Sequence, residues 1–182
     1  MTVACLCAGA ALAAGCGRHH ANLADANNNG TYINVGPLKY QLQISRQLNQ
    51  YSPEDSGYLR GLPKADSALS PNQLWFGVFM WAENVGHRTY KTTDNFHIVD
   101  TQGRIYKPIK LNPAANPYVW TSQSLAPGST EPNPTTTAGT GPTGGNLLLF
   151  KLSNSILDNR PLTLQIRAPS GKKIWATVSL DL

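Results

Sequence analysis

The chain has 182 residues, a formal net charge of +5 and three cysteines, and 41% of its residues are hydrophobic. That length allows one domain able to bury roughly 70% of its unfolded surface. The cysteines Cys5, Cys7 and Cys16 all lie near the N-terminus, which excludes a disulfide scaffold for the rest. The basic residues are scattered, with Lys172-Lys173 the densest pair, whereas a nucleic-acid binder concentrates them on one face. No nucleic-acid partner is expected.

Residues 1–15 are uncharged and apolar, too short for a membrane span of about 20 residues but long enough for a signal core. Leu12-Ala13-Ala14-Gly15-Cys16 resembles the lipobox of bacterial lipoproteins: small residues that fit a peptidase, then a thiol that can take a diacylglyceryl group. The lysine or arginine that normally opens such a signal is missing. The expectation is a signal peptide over 1–15, lipidation at Cys16, and a membrane partner through that anchor. Cleavage and acylation then leave no free thiol. The protein is expected on the extracytoplasmic face of the bacterial cell membrane, or secreted.

Residues 16–30 read as a flexible tether, polar and without apolar periodicity. Thr31 to Val35 reads as a first strand. Leu38, Tyr40, Leu42 and Ile44 alternate with polar residues and predict a half-buried strand with those four on one face. The stretch from Gln50 to Asn72 predicts a long loop with a helical turn. Gln73 to Glu83 is apolar on both faces, so both are covered or one meets loops. Phe96 to Val99 and Ile105 to Ile109 predict a hairpin through Asp100-Thr101-Gln102-Gly103. Tyr118 to Trp120 reads as a short strand, and 131–145, dense in Pro, Thr and Gly, as a long exposed loop or loosely paired edge. Leu147 to Phe150 predicts a buried strand, and Ser153 to Leu157 a capped helical turn. Leu162 to Arg167 and Ile174 to Leu182 complete the alternation. The expected fold of 31–182 is all-β: an immunoglobulin-like antiparallel β-sandwich of about 7–9 strands.

The order Trp75-Phe76-Gly77-Val78-Phe79, Glu83-Asn84-Val85-Gly86, Phe96 to Gly103, Leu125-Ala126-Pro127-Gly128 and Leu147-Leu148-Leu149-Phe150 resembles the telokin-like, immunoglobulin-like domains of unknown function in bacterial lipoproteins and secreted proteins. The resemblance spans roughly residues 31–182. It implies an extracytoplasmic binding or structural module and brings no catalytic residues.

Candidate chemistry is sparse. Asp25 to Gly30 matches the start of a calcium loop, but Gly36 stands where the bidentate Glu belongs. His19-His20 is an adjacent pair on a tether, short of the three or four ligands that a metal site needs. Asp94, His97 and Asp100 invite an acid–base reading, but their spacing denies them a common strand face. Gly139 to Gly145 is glycine-rich without the lysine and helix of a phosphate cradle. No cofactor, metal or enzymatic activity is expected. Function is expected to be binding of a protein or envelope partner at the cell envelope. The alternatives are a glycan or small ligand bound through Tyr51, Tyr58, Tyr118 or Trp120, or an extracytoplasmic enzyme.

Overall fold

The computed structural model describes residues 24–26 and 30–180. The chain forms two sheets packed face to face. Strands β1 (Ala24–Ala26), β2 (Tyr32–Val35), β3 (Leu38–Leu48) and β4 (Gln73–Asn84) come first. Short strands β5 (Tyr90–Lys91), β6 (Phe96–Val99), β7 (Ile105–Tyr106), β8 (Ser124–Leu125) and β9 (Thr130–Glu131) follow. β10 (Asn146–Ser153), β11 (Leu162–Arg167) and β12 (Ile174–Leu180) complete the set. One sheet runs β1-β12-β11-β6-β7. The other runs β10-β4-β3-β2 with β9 added to β4, and β5 and β8 form a small separate pair.

Period-two hydrophobicity builds the space between the sheets. Leu162, Leu164 and Ile166 on β11 and Ala176 and Val178 on β12 meet Tyr40, Phe76, Val78, Met80 and Phe150 from the facing sheet. The opposite face of β4 is covered too. Trp75 and Phe79 are fully buried in a second cluster with Leu48, Tyr58, Leu111, Leu147 and Leu149. Its cover is irregular chain: a helical turn at Pro53–Ser56, 3-10 turns at Gly57–Leu59 and Lys64–Asp66, and the segment after β7. Arg46 forms a forked ion pair with Asp55, whose Oδ2 also accepts the Asn49 N–H at 2.8 Å.

Several expectations change. Ile44 leaves the face of Leu38, Tyr40 and Leu42, because the register against β4 slips between Leu42 and Ile44. The extra residue reverses the alternation, and Ile44 packs into the outer cluster instead. Ala24–Ala26, placed in the tether by sequence, pairs in parallel with β12, the one parallel strand pair in an otherwise antiparallel sheet system among the described residues. Tyr118 to Trp120 makes only an isolated bridge, Val119 to Leu147. Residues 131–145 combine both expected alternatives: Glu131 pairs with Ala82 of β4 and 133–137 are exposed, but Glu131 and Ala138 are buried, and Thr136 caps a short helix at Thr137–Thr140. A Cβ on Gly139 would stand 2.3 Å from the Asn133 carbonyl oxygen, so this glycine permits close approach rather than flexibility. The turn at Gly103 (φ 75°) and the Ser153-capped turn at Asn154–Asp158 form as expected.

Candidate functional site

The sandwich is open along one side. β7 pairs only with Ile98 and Val99 of β6, so Phe96 and His97 have no strand partner on that edge. The chain then crosses to the other sheet and runs beside β10: Ile109 N–H donates to the Leu149 carbonyl at 2.7 Å and Trp120 N–H to the Leu147 carbonyl at 2.9 Å. A cleft of about 540 Å³ lies between β6 and this crossing segment. Half-buried Pro108, Ile109 and Val119 give it an apolar floor, backed by the buried Phe96, Trp120, Leu147 and Leu148, and Lys91, Asp94, Lys107 and Lys110 stand exposed at its rim. Trp120 is locked in place. Its Nε1–H donates to the Thr93 carbonyl at 2.8 Å, and its ring meets Phe96 edge-on at 5.4 Å.

His97 is half-buried in the cleft wall, and its Nδ1 is buried without a hydrogen-bond partner. Burial, then the charges of Arg167 and Lys107, hold its pKa below the ordinary value, so the imidazole is neutral at pH 7. Asp94 lines the same cleft because it lies in the coil before β6, where strand alternation does not apply. Asp100 does not join them. It faces its own turn, accepting from the Gln102 and Arg104 N–H groups at 2.9 Å and from the Tyr106 hydroxyl at 3.0 Å. Burial would raise its pKa, but these donors outweigh burial and hold it low. Ser122 also lines the cleft, but its hydroxyl donates to the Thr92 carbonyl. Among the described residues no hydrogen bond joins Asp94, His97 and Ser122.

Behind the floor lies a polar cluster that sequence reasoning missed. Glu131 is 1% exposed, and its Oε2 accepts from the Thr92 hydroxyl at 2.7 Å. Its Oε1 has no partner of good geometry. Burial pushes its pKa up to about 7, against the opposing pull of the Thr92 hydroxyl, the Thr121 N–H and the Asn146 amide.

The other sequence candidates are dispersed. Cys16, His19, His20 and the side chains of Asp25 to Asn29 lie outside the described residues, whereas His87 is exposed in its turn. Tyr58 and Tyr118 pack edge-on against each other at 4.8 Å as part of the outer cover, and of the four aromatics proposed for ligand stacking only Tyr51 is exposed. Among the described residues no three His, Cys, Asp or Glu side chains gather as a metal site, and no helix is long and apolar enough to cross a membrane.

The fold has solved counterparts. The yjhA protein from Bacillus subtilis superposes with a TM-score of 0.50 at 10% identity, over 85% of this chain and 99% of that one. The "putative lipoprotein" ycdA from Bacillus subtilis gives 0.50 at 9% identity, over 85% of this chain but 39% of that one. At such identities the likeness concerns the β-sandwich fold alone. No family model matches the chain, and no curated protein matches it.

Proposed function

We propose that the chain is a lipid-anchored extracytoplasmic binding module of the bacterial cell envelope, working without catalysis. The observation that carries this reading is Leu12-Ala13-Ala14-Gly15-Cys16 behind an uncharged apolar run and ahead of a β-sandwich domain. The shared fold with ycdA, described as a putative lipoprotein, supports it, as does the resemblance to telokin-like domains. Two acyl chains supply a stable anchor at about 0.8 kcal/mol per buried methylene. The open cleft is the place where such a domain would meet its ligand.

Metabolic labelling with an alkynyl fatty acid, followed by membrane fractionation, tests the anchor. The wild-type chain is expected labelled and membrane-bound, and the Cys16→Ala chain unlabelled and released from the membrane or unprocessed. A wild-type chain that stays unlabelled and soluble, or a variant that is processed and fractionates like wild type, overturns it.

A glycan-binding reading is favoured by one other observation. Tyr32, 56% exposed, stands edge-on to Trp81 at 5.9 Å on the outer face of the β2–β3–β4 sheet. Lys39 lies 5.1 Å from the Tyr32 ring. Chemical-shift changes at Tyr32 and Trp81 on adding soluble peptidoglycan fragments would favour this surface over the cleft.

A further inference from the structure

The cleft joins an apolar floor to three cations that form no ion pair among the described residues. Lys91, Lys107 and Lys110 have no ion-pair partner among the described residues, where the ion pairs are Lys39–Glu83, Arg46–Asp55 and Lys151–Asp66. Asp94 is the only carboxylate on the lining, against three ammonium groups. The charge therefore favours an anion in a half-enclosed space, where low-dielectric walls focus the field. The volume of about 540 Å³ falls within the range of small-molecule sites, roughly 300–1,000 Å³. Pro108, Ile109 and Val119 are half-buried on the lining and the lysines exposed, which matches a molecule with a greasy body and a charged head.

We infer that the cleft binds an anionic amphiphile, its phosphate or carboxylate head held by Lys91, Lys107 and Lys110 and its apolar body laid on the half-buried Pro108, Ile109 and Val119. The ligand follows from charge and shape together. A bare anion would leave the floor unused, and a neutral apolar molecule would leave three lysines unpaired at its edge. This deepens the binding reading above and does not depend on the anchor, so it is tested without lipid at Cys16.

The experiment uses the full chain carrying Cys16→Ala, purified without detergent, and titration calorimetry with octyl phosphate, inorganic phosphate and 1-octanol. Octyl phosphate is expected to bind at least about tenfold tighter than either fragment and to weaken as salt is raised. Lys107→Glu with Lys110→Glu should weaken octyl phosphate about tenfold or more and leave 1-octanol unchanged. Lys107→Gln with Lys110→Gln, expected to show a smaller loss, serves if the reversed pair fails to fold. Equal binding of octyl phosphate by wild type and the lysine variants, insensitivity to salt, or 1-octanol binding as tightly overturns the inference. Phosphatidylglycerol vesicles separate the sources. Vesicle binding that falls with octyl phosphate binding in the variant identifies a lipid head as the source, whereas octyl phosphate binding without vesicle binding identifies a free anion. Vesicle binding with no octyl phosphate binding assigns the charge to the outer surface and overturns the inference.

Discussion

The two hydrophobic clusters on opposite faces of β4 are built differently. Between the sheets, Phe76, Val78 and Met80 meet regular strands, and backbone ladders satisfy the polar groups of the chain that surrounds them. Outside, Trp75 and Phe79 are roofed by irregular chain, where side chains replace the ladder. Asn116 donates to the carbonyls of Tyr58 and Arg60, and Arg46 and Asp55 tie the first helical turn to β3. An irregular cover is stable only where such polar clamps supply the hydrogen bonds that a strand would make. The contrast extends to two of the buried acids, Asp55 and Glu131. Asp55 has a guanidinium partner, and that contact first of all holds its pKa low. Glu131, at the end of the inter-sheet space, has only neutral partners, and burial raises it to about 7.

The largest effect is expected between the sheets. Phe76→Ala should cost about 3–5 kcal/mol, read as a lowered urea midpoint with one cooperative transition. The second follows from Glu131. A raised folded pKa means that the protonated acid favours the fold, so this contribution is whole below the unfolded value of 4.5 and fades as pH rises to about 7. It amounts to about 3 kcal/mol, and Glu131→Gln should remove that slope from the stability–pH curve and be the more stable protein at pH 8. Asp55→Ala comes next, at about 1.5–3 kcal/mol for a lost charged hydrogen-bond pair. Its depressed pKa gives the opposite sign. The contribution is present above the ordinary carboxylate value of about 3.9 and vanishes as pH falls through the folded value, so variant and wild type should converge in acid. Hydrogen exchange should show the loss first in residues 53–62, by local opening of the roof. The smallest effect is expected at the cleft mouth: Lys107→Glu with Lys110→Glu should move the thermal midpoint by no more than about 0.5 kcal/mol of stability while altering ligand binding, since both side chains are exposed. A large loss there would mean that the rim holds the two sheets together.

Much of the inter-sheet core was legible because β11 and β12 alternate without interruption: Leu162, Leu164, Ile166, then Ala176 and Val178. The twofold apolarity of β4 likewise announced a second covered face. What stayed hidden had no local signal. Nothing about Gln43 marks a bulge, yet the shift beside it sends Ile44 to the opposite face. Residues 131–145 look like open loop because close backbone approach demands the same glycines as flexibility does. The cleft was illegible for another reason. Lys91, Lys107 and Lys110 are far apart or unremarkable in sequence, and only the path of the chain from β7 along β10 brings them to one opening.

The pairing of β1 with β12 sets a geometry for any anchored form. Seven residues lie between Cys16 and Ala24, so the two are eight steps of chain apart, a span of at most roughly 30 Å when fully stretched. An acyl chain on Cys16 would therefore leash one margin of the domain close above the bilayer. The β6–β7 margin of the same sheet, where the opening lies, is the opposite one. A short leash fastened at one rim leaves the other rim free to swing, so the mouth can be offered toward lipid head groups or away from them by tilting the whole body.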